Sequence, residues 1–233
     1  MKPLERVTGQ AFVPEHVLGP LNDVERRHAP ERVYLSGFSE LLRERHRVAV
    51  VGARDASDIA LRRARRLAHE LAAKDICVVS GLARGIDTAA HTAAIERGGR
   101  TIAVIGTPLD QCNPKSNERL QREIATQHLV VSQFPLGQPV HPSNFVLRNR
   151  TMALISHASV IVEAGEGSGS LSQGWEMLRL GRLLFLMKSV IDNPSLEWPR
   201  KMMEYGAQVL ERTEDLLEQL PELPSLEPLD APF

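Results

Sequence analysis

Three glycine-rich stretches of this sequence combine small hydroxyl residues with arginine or with the start of a helical segment: "GARDAS" at 52–57, "SGLARGID" at 80–87 and "GEGSGS" at 165–170. Each follows a short apolar run, so each reads as a strand, a glycine turn and a helix start. Glycine lets the backbone approach a ligand closely, and the free N–H groups and dipole of a helix N-terminus favour an anion. The chemistry such loops serve is phosphate binding, and Arg54 and Arg84 put a guanidinium on two of them. A fourth stretch, "SNFVLRNRTMALISHA", adds Arg148 and Arg150 on either side of Asn149. In an extended or turning segment these two arginines face the same way, whereas at a helix start they diverge.

The motifs of cofactor chemistry are missing. No GxGxxG follows the first strand, and no Asp or Glu marks a ribose about twenty residues after "GEGSGS", which argues against a dehydrogenase. The GxxxxGK[ST], HExxH and GxSxG patterns do not occur, and the eight histidines are scattered. Cys77 and Cys112 stand far apart, one in an apolar run and one in a loop, without the spacing of a metal site or a disulfide framework. Neither a cofactor nor a metal is expected. His91 reads as packing on a helix surface or capping a partner, and Trp175 as packing against a sheet.

The elements that must position these loops follow from hydrophobic patterning. From residue 47 onward short apolar runs alternate with longer helical segments, which predicts a parallel sheet covered on both faces. The predicted strands are 47–53, 76–80, 101–106, 129–132, 159–164 and 182–187. The fold class is therefore α/β, a doubly wound, mostly parallel sheet of the extended Rossmann-like kind in a single domain. In such sheets ligands bind beyond the carboxyl ends of the strands, where strand order reverses. Between the first two strands, "LRRARRLAHELAAK" puts Leu61, Ala64, Leu67, Ala68 and Leu71 on one stripe, with the arginines mostly on the solvated face.

Residues 1–46 read as an N-terminal extension packing on the core, 47–220 as the core, and the proline-rich, acidic 221–233 as a disordered tail. With 233 residues and 42% hydrophobic content the chain can bury one sizeable core. The formal net charge of -1 conceals an asymmetry, because residues 204–233 hold eight acidic side chains against Arg212 alone, leaving the rest of the chain basic. Of the 28 basic residues five are lysine, and the guanidinium fork suits bidentate phosphate contacts. The N-terminal segment has no signal-peptide apolar region and no run is long enough to span a bilayer, so a cytoplasmic protein away from membranes is expected.

In collinear order the chain carries "YLSGFSELL", "VAVVGARDAS", "VVSGLARGIDTAAHTAAIERGGRTIAVIGTPLD", "VVSQFPLG", "FVLRNRTMALIS", "VIVEAGEGSGSL" and "GAQVLERTEDLLEQL". Over roughly residues 33–220 it thereby resembles the bacterial DNA-processing protein A family, also called Smf. The resemblance implies an extended Rossmann-like fold that binds single-stranded DNA, forms a homodimer and helps load a recombinase during DNA uptake or recombination, or serves a related DNA-processing or defence role. Motif by motif it implies a pocket lined by Arg54, Ser80, Gly81, Arg84, Gly85, Asp87, Arg148, Asn149, Arg150, Ser168, Gly169 and Ser170, with Gly52 and Gly167 from the same loops. Arg148 and Arg150 are expected to touch successive phosphates, and Gly85 to allow a close backbone approach to the strand. Where the family usually has Thr-Ala after "SGSL", this chain has Ser172, Gln173, Gly174 and Trp175, and its first loop reads Gly-Ala-Arg where Gly-Ser-Arg is usual.

A competing reading comes from nucleotide-binding relatives of the same fold superfamily, a small-nucleotide sensor or a phosphoribohydrolase-like enzyme with a PGGxGTxxE loop. Superimposing "GSGSLSQ" on GxGTxxE puts Gln173 at the carboxylate position, and an amide cannot do a carboxylate's acid–base work. Glu176 substitutes only if the helix register shifts.

Overall fold

The computed structural model describes residues 9–43 and 45–223. Among the described residues nine strands form one sheet: β1 (Ala11–Phe12), β2 (Val33–Gly37), β3 (Arg47–Val51), β4 (Cys77–Ser80), β5 (Thr101–Ile105), β6 (Leu129–Ser132), β7 (Ala158–Ile161), β8 (Leu183–Met187) and β9 (Gln208–Leu210). Their order across the sheet is β1-β2-β6-β5-β4-β3-β7-β8-β9. The seven strands from β6 to β9 run parallel, and β1 and β2 add an antiparallel edge. The six expected strands all form, and three short ones at the sheet's margins join them. β2 comes from the N-terminal extension, where Tyr34 pairs Ser132 and Gly37 pairs Leu129.

β3 sits in the middle because its five residues are all buried, as a strand covered on both faces requires. Its alternation divides the core: Ala49 and Val51 face one cluster with Met152, Met177 and Trp198, while Val48 and Val50 face the other with Ala64, Leu67 and Leu71. The first face carries α1 (Pro14–Leu18), then α6 (Pro142–Ile155), α7 (Gly169–Arg179), α8 (Lys188–Ile191) and α9 (Trp198–Glu204); the second carries α3 (Asp58–Ala73), α4 (Ile86–Glu96) and α10 (Thr213–Leu217). α5 (Glu118–Gln127) covers β5 and β6 through a third cluster containing Ile124, and α2 (Asp23–His28) lies on the surface with no buried residue.

Local chemistry sets the helix limits. Ser57 caps α3, its Oγ accepting from Ala60 N at 3.2 Å. The buried stripe of α3 is Ala60, Ala64, Leu67, Ala68 and Leu71; Leu61 is only half-buried, one position round from where the stripe was expected. β3 stops at Val51 rather than residue 53, which leaves Gly52 and Ala53 in the loop. His91 is fully buried instead of lying on the surface of α4; its Nδ1 bonds Thr101 Oγ at 2.6 Å, and burial pushes its pKa down to about 3, so it is neutral. Trp175 is partly buried against the first core cluster and meets Tyr205 edge-on at 5.4 Å. Residues 224–233 of the expected tail lie outside the described residues.

Candidate functional site

From β3 the chain builds outward through β4, β5 and β6 in one direction and through β7, β8 and β9 in the other, so the order reverses between β3 and β7. Such a reversal leaves a crevice beyond the carboxyl ends of the strands. An open cleft of about 1090 Å³ lies there, walled by the loops after β3, β4 and β7 and by the N-terminal turns of α6 and α7.

Three of the helix N-termini at this end of the sheet, those of α3, α4 and α7, follow the glycine-rich loops, and they are not equivalent. At α3, the Glu163 carboxylate accepts from Ser57 N at 2.8 Å and from Ser57 Oγ at 2.6 Å, so the protein supplies its own anion. Before α4, the Asp87 carboxylate accepts from Ala83 N at 3.2 Å. Burial raises the Asp87 pKa, while the Arg148 charge and the donors of Ala83, Ser80 and Gly81 work in the other direction. α7 has no acidic residue in its first turn; Ser168 caps it, with Oγ 3.4 Å from Ser170 N and 2.8 Å from Ser170 Oγ. A Cβ built on Gly165, Gly167 or Gly169 meets nothing within 4 Å. Of these three, the loop before α7 is the one with open backbone and no anion of its own in the helix's first turn; α6, whose first turn also lines the cleft, has no acidic residue there either.

The loop is pinned from behind. Glu166 Oε1 accepts from Glu197 N at 2.7 Å, and Trp198 Nε1 donates to Ala164 O at 3.3 Å. Glu166, the acid within "GEGSGS", is in this way tied to the segment that leads into α9.

Arginine supplies the positive charge at three depths. Arg84 is exposed on the lip, 3.8 Å from Asp55 of the neighbouring loop. Arg54 is exposed as well, its guanidinium 6.0 Å from the centroid of the Phe145 ring. Arg148 is buried in the floor, where Nη1 donates to Gly81 O and Val104 O at 2.5 Å each and Nε to Asn149 Oδ1 at 3.0 Å. No carboxylate among the described residues lies at ion-pair distance from it; burial lowers its pKa, and Asp87 partly restores it. Gly81 makes this seat possible, since a Cβ there would stand 2.6 Å from Arg148 Cζ.

The sequence model of the family described as DNA recombination-mediator protein A matches residues 14–221 of this chain. The chain belongs to this family. Among curated members of the DNA recombination-mediator protein A family, it is 36% identical over 189 residues to the DNA processing protein DprA of Streptococcus pneumoniae, covering 81% of this chain and 66% of that relative. The chain spans less than two thirds of the length of the curated relatives it matches first. The X-ray structure of DprA from S. pneumoniae superimposes with a TM-score of 0.78 at 32% identity, covering 91% of this chain and 75% of that one. DNA processing protein A from Helicobacter pylori, a structure described for its single-stranded DNA binding mode, gives 0.76 at 25% identity, covering 94% and 98%. The extended Rossmann-like fold expected from the sequence is the fold of these family members.

Of the residues expected at the family's pocket, Gly52, Arg54, Gly81, Arg84, Asp87, Arg148, Asn149, Ser168, Gly169 and Ser170 line the cleft. Four do not. Ser80 is fully buried and donates to Val50 O at 2.7 Å, so its hydroxyl holds two strands together. Gly85, at φ +75°, lies against the first loop: a Cβ there would run into the carbonyls of Ala53 and Arg54, so its lack of a side chain lets the two loops pack. Gly167, at φ +73°, turns the chain ahead of α7. Arg150 lies 3.5 Å from Glu176, away from the cleft.

Arg148 and Arg150, expected to touch successive phosphates, both lie in α6. The segment is helical, so two positions apart means roughly 200° of rotation, and one arginine goes under the sheet ends while the other goes to α7. Asn149 also has a structural job, its Nδ2 donating to Gly169 O at 3.1 Å and to Ser172 Oγ at 3.0 Å, which fixes α6 against the start of α7. Phe145 is a cleft residue the sequence reading passed over, although an aromatic beside a basic segment was the available signal. Gly106 makes room for it, since a Cβ there would stand 2.6 Å from the ring.

Proposed function

We propose that this cleft holds the sugar–phosphate backbone of single-stranded DNA and that the chain acts as a recombination mediator by holding a strand rather than by changing it covalently. The observation that carries the reading is the layout of charge and backbone: exposed Arg54 and Arg84 on the lips, open glycines at the N-terminus of α7, and Phe145 with Arg54 as a face on which a base can stack. The single-strand binding mode described for the H. pylori relative supports it. The cleft is a concave site lined by loops and by the starts of α6 and α7, which suits a flexible strand better than a major groove.

Glu176 speaks against a phosphoribohydrolase. Its carboxylate is engaged by Arg179 at 2.9 Å and Arg150 at 3.5 Å, and the cleft position one turn earlier is Gln173. The reading extends to a recombinase and a second copy of the chain as protein partners, and to the cytoplasm as the compartment. Among the described residues no helix is long and apolar enough to cross a membrane. Sedimentation with and without DNA tests the second copy.

Salt-dependent titration with single-stranded DNA, duplex DNA and free nucleotides, side by side, tests the main claim. Single strands should bind tightest. Arg54→Ala and Arg84→Ala should each weaken all sequences alike and reduce the salt slope by roughly 0.7, the single-strand value per phosphate contact. Equal affinity for blunt duplex, or unchanged affinity in both variants, would overturn it.

A further inference from the structure

Gln173 stands in the second turn of α7, fully buried, and lines the same cleft as Ser168, Gly169 and Ser170. Neither its Nε2 nor its Oε1 has a hydrogen-bond partner among the described residues. A buried amide left unmade on both sides costs stability that an apolar side chain of similar shape would not. The neighbouring amide does not share this state, because Asn149 uses both Oδ1 and Nδ2. The orphan donor and acceptor therefore sit at the cleft wall on α7, a helix with no acidic residue in its first turn.

An amide offers one donor and one acceptor side by side in a plane, and its match is a ligand with an acceptor and a donor at the same spacing. Adenine presents that pair twice, N7 with the N6 amino group and N1 with the same amino group, and glutamine is a recognised bidentate partner for the first. Turning the amide toward a base breaks no hydrogen bond, since none is made. Gly165 and Gly169 leave clear backbone on the same cleft, and the buried amide meets a base there by rotating out of its pocket. We propose that Gln173 reads an adenine of the strand seated in the cleft, giving a base preference to a groove whose other contacts are indifferent to sequence. The proposal rests on the single-strand reading above.

The test compares, at one salt concentration, a thymine homopolymer of about fifteen nucleotides with the same strand carrying one central dA, for the unaltered protein and for Gln173→Met. The dA should tighten binding to the unaltered protein by about tenfold and leave Gln173→Met unmoved. The melting temperature of Gln173→Met should hold or rise as two unpaired buried polar atoms are lost. Equal binding of both strands by the unaltered protein overturns the proposal, as does a dA preference that survives in Gln173→Met. A variant that melts lower and weakens on both strands alike shows a structural side chain instead, and Gln173→Leu repeats the comparison where the methionine does not fold. If neither strand binds with salt dependence, the single-strand reading itself fails and the proposal falls with it.

Discussion

Arg148 and Arg150 share a residue type and a helix, yet burial assigns them different work. Arg148 gives two donors to carbonyls at the ends of β4 and β5 and balances the buried Asp87 carboxylate. Its replacement by alanine strands those groups, and Arg148→Ala should cost about 2–4 kcal/mol, read as a drop in the urea midpoint. Arg150→Ala loses a half-exposed pair to a Glu176 that keeps Arg179, and should cost less than about 1 kcal/mol in the same experiment. Gly85→Val belongs with Arg148. A valine at φ +75° meets the Ala53 and Arg54 carbonyls, so the variant should unfold at lower denaturant before any loss of binding can be interpreted. A Gly85→Val protein of unchanged midpoint that fails to bind DNA would restore the simpler idea that this glycine admits the ligand.

At the scale of elements, the three helix N-termini that follow the glycine-rich loops look alike in sequence and differ in what their dipoles meet. α3 is satisfied by Glu163, which arrives from the end of β7, and the two loops are further joined by Ala53 N donating to Glu163 O at 2.7 Å. Glu163→Gln exchanges the carboxylate for an amide that accepts less strongly and carries no charge for the helix dipole. It should lower stability by about 1 kcal/mol without altering the salt slope of DNA binding. A changed slope would mean that the α3 terminus, too, meets phosphate. No pattern within "GARDAS" announces Glu163, because the partner lies in a loop more than a hundred residues away.

Across the whole molecule, stability should fall in mild acid. Burial holds three histidines well below their ordinary value: His91 at about 3, His128 at about 4 and His157 at about 3, the last also facing Arg47 and Arg182. The unfolded chain takes up these protons as pH drops below about 6.5 and the folded chain does not, so stability is lost from there down to the folded values. Each histidine contributes up to about 1.4 kcal/mol per pH unit in that window. Asp87, with its pKa raised by burial, acts in the opposite sense. Urea midpoints between pH 7 and pH 5 for the unaltered protein and for His91→Gln therefore isolate the effect, and the variant should show the shallower decline.

Much of this architecture was legible in the order of residues alone. Continuous apolar runs such as 47–51 have no polar side to turn toward water, so they become buried parallel strands, and the collinear motifs that carry the family resemblance place the loops at one end of them. What a linear pattern does not contain is which polar groups meet. Whether Arg148 faces a ligand or two carbonyls, whether Gly85 makes room for DNA or for Ala53, and whether a helix N-terminus is free or already holds Glu163 depend on contacts between segments far apart in the chain. Those contacts exist only once the sheet has assembled, because desolvation and hydrogen-bond geometry act through space and not along the sequence. Gln173 shows the division most plainly: its identity was visible as a departure from the expected motif, but that both ends of its amide are buried without a partner among the described residues is a property of the packed structure.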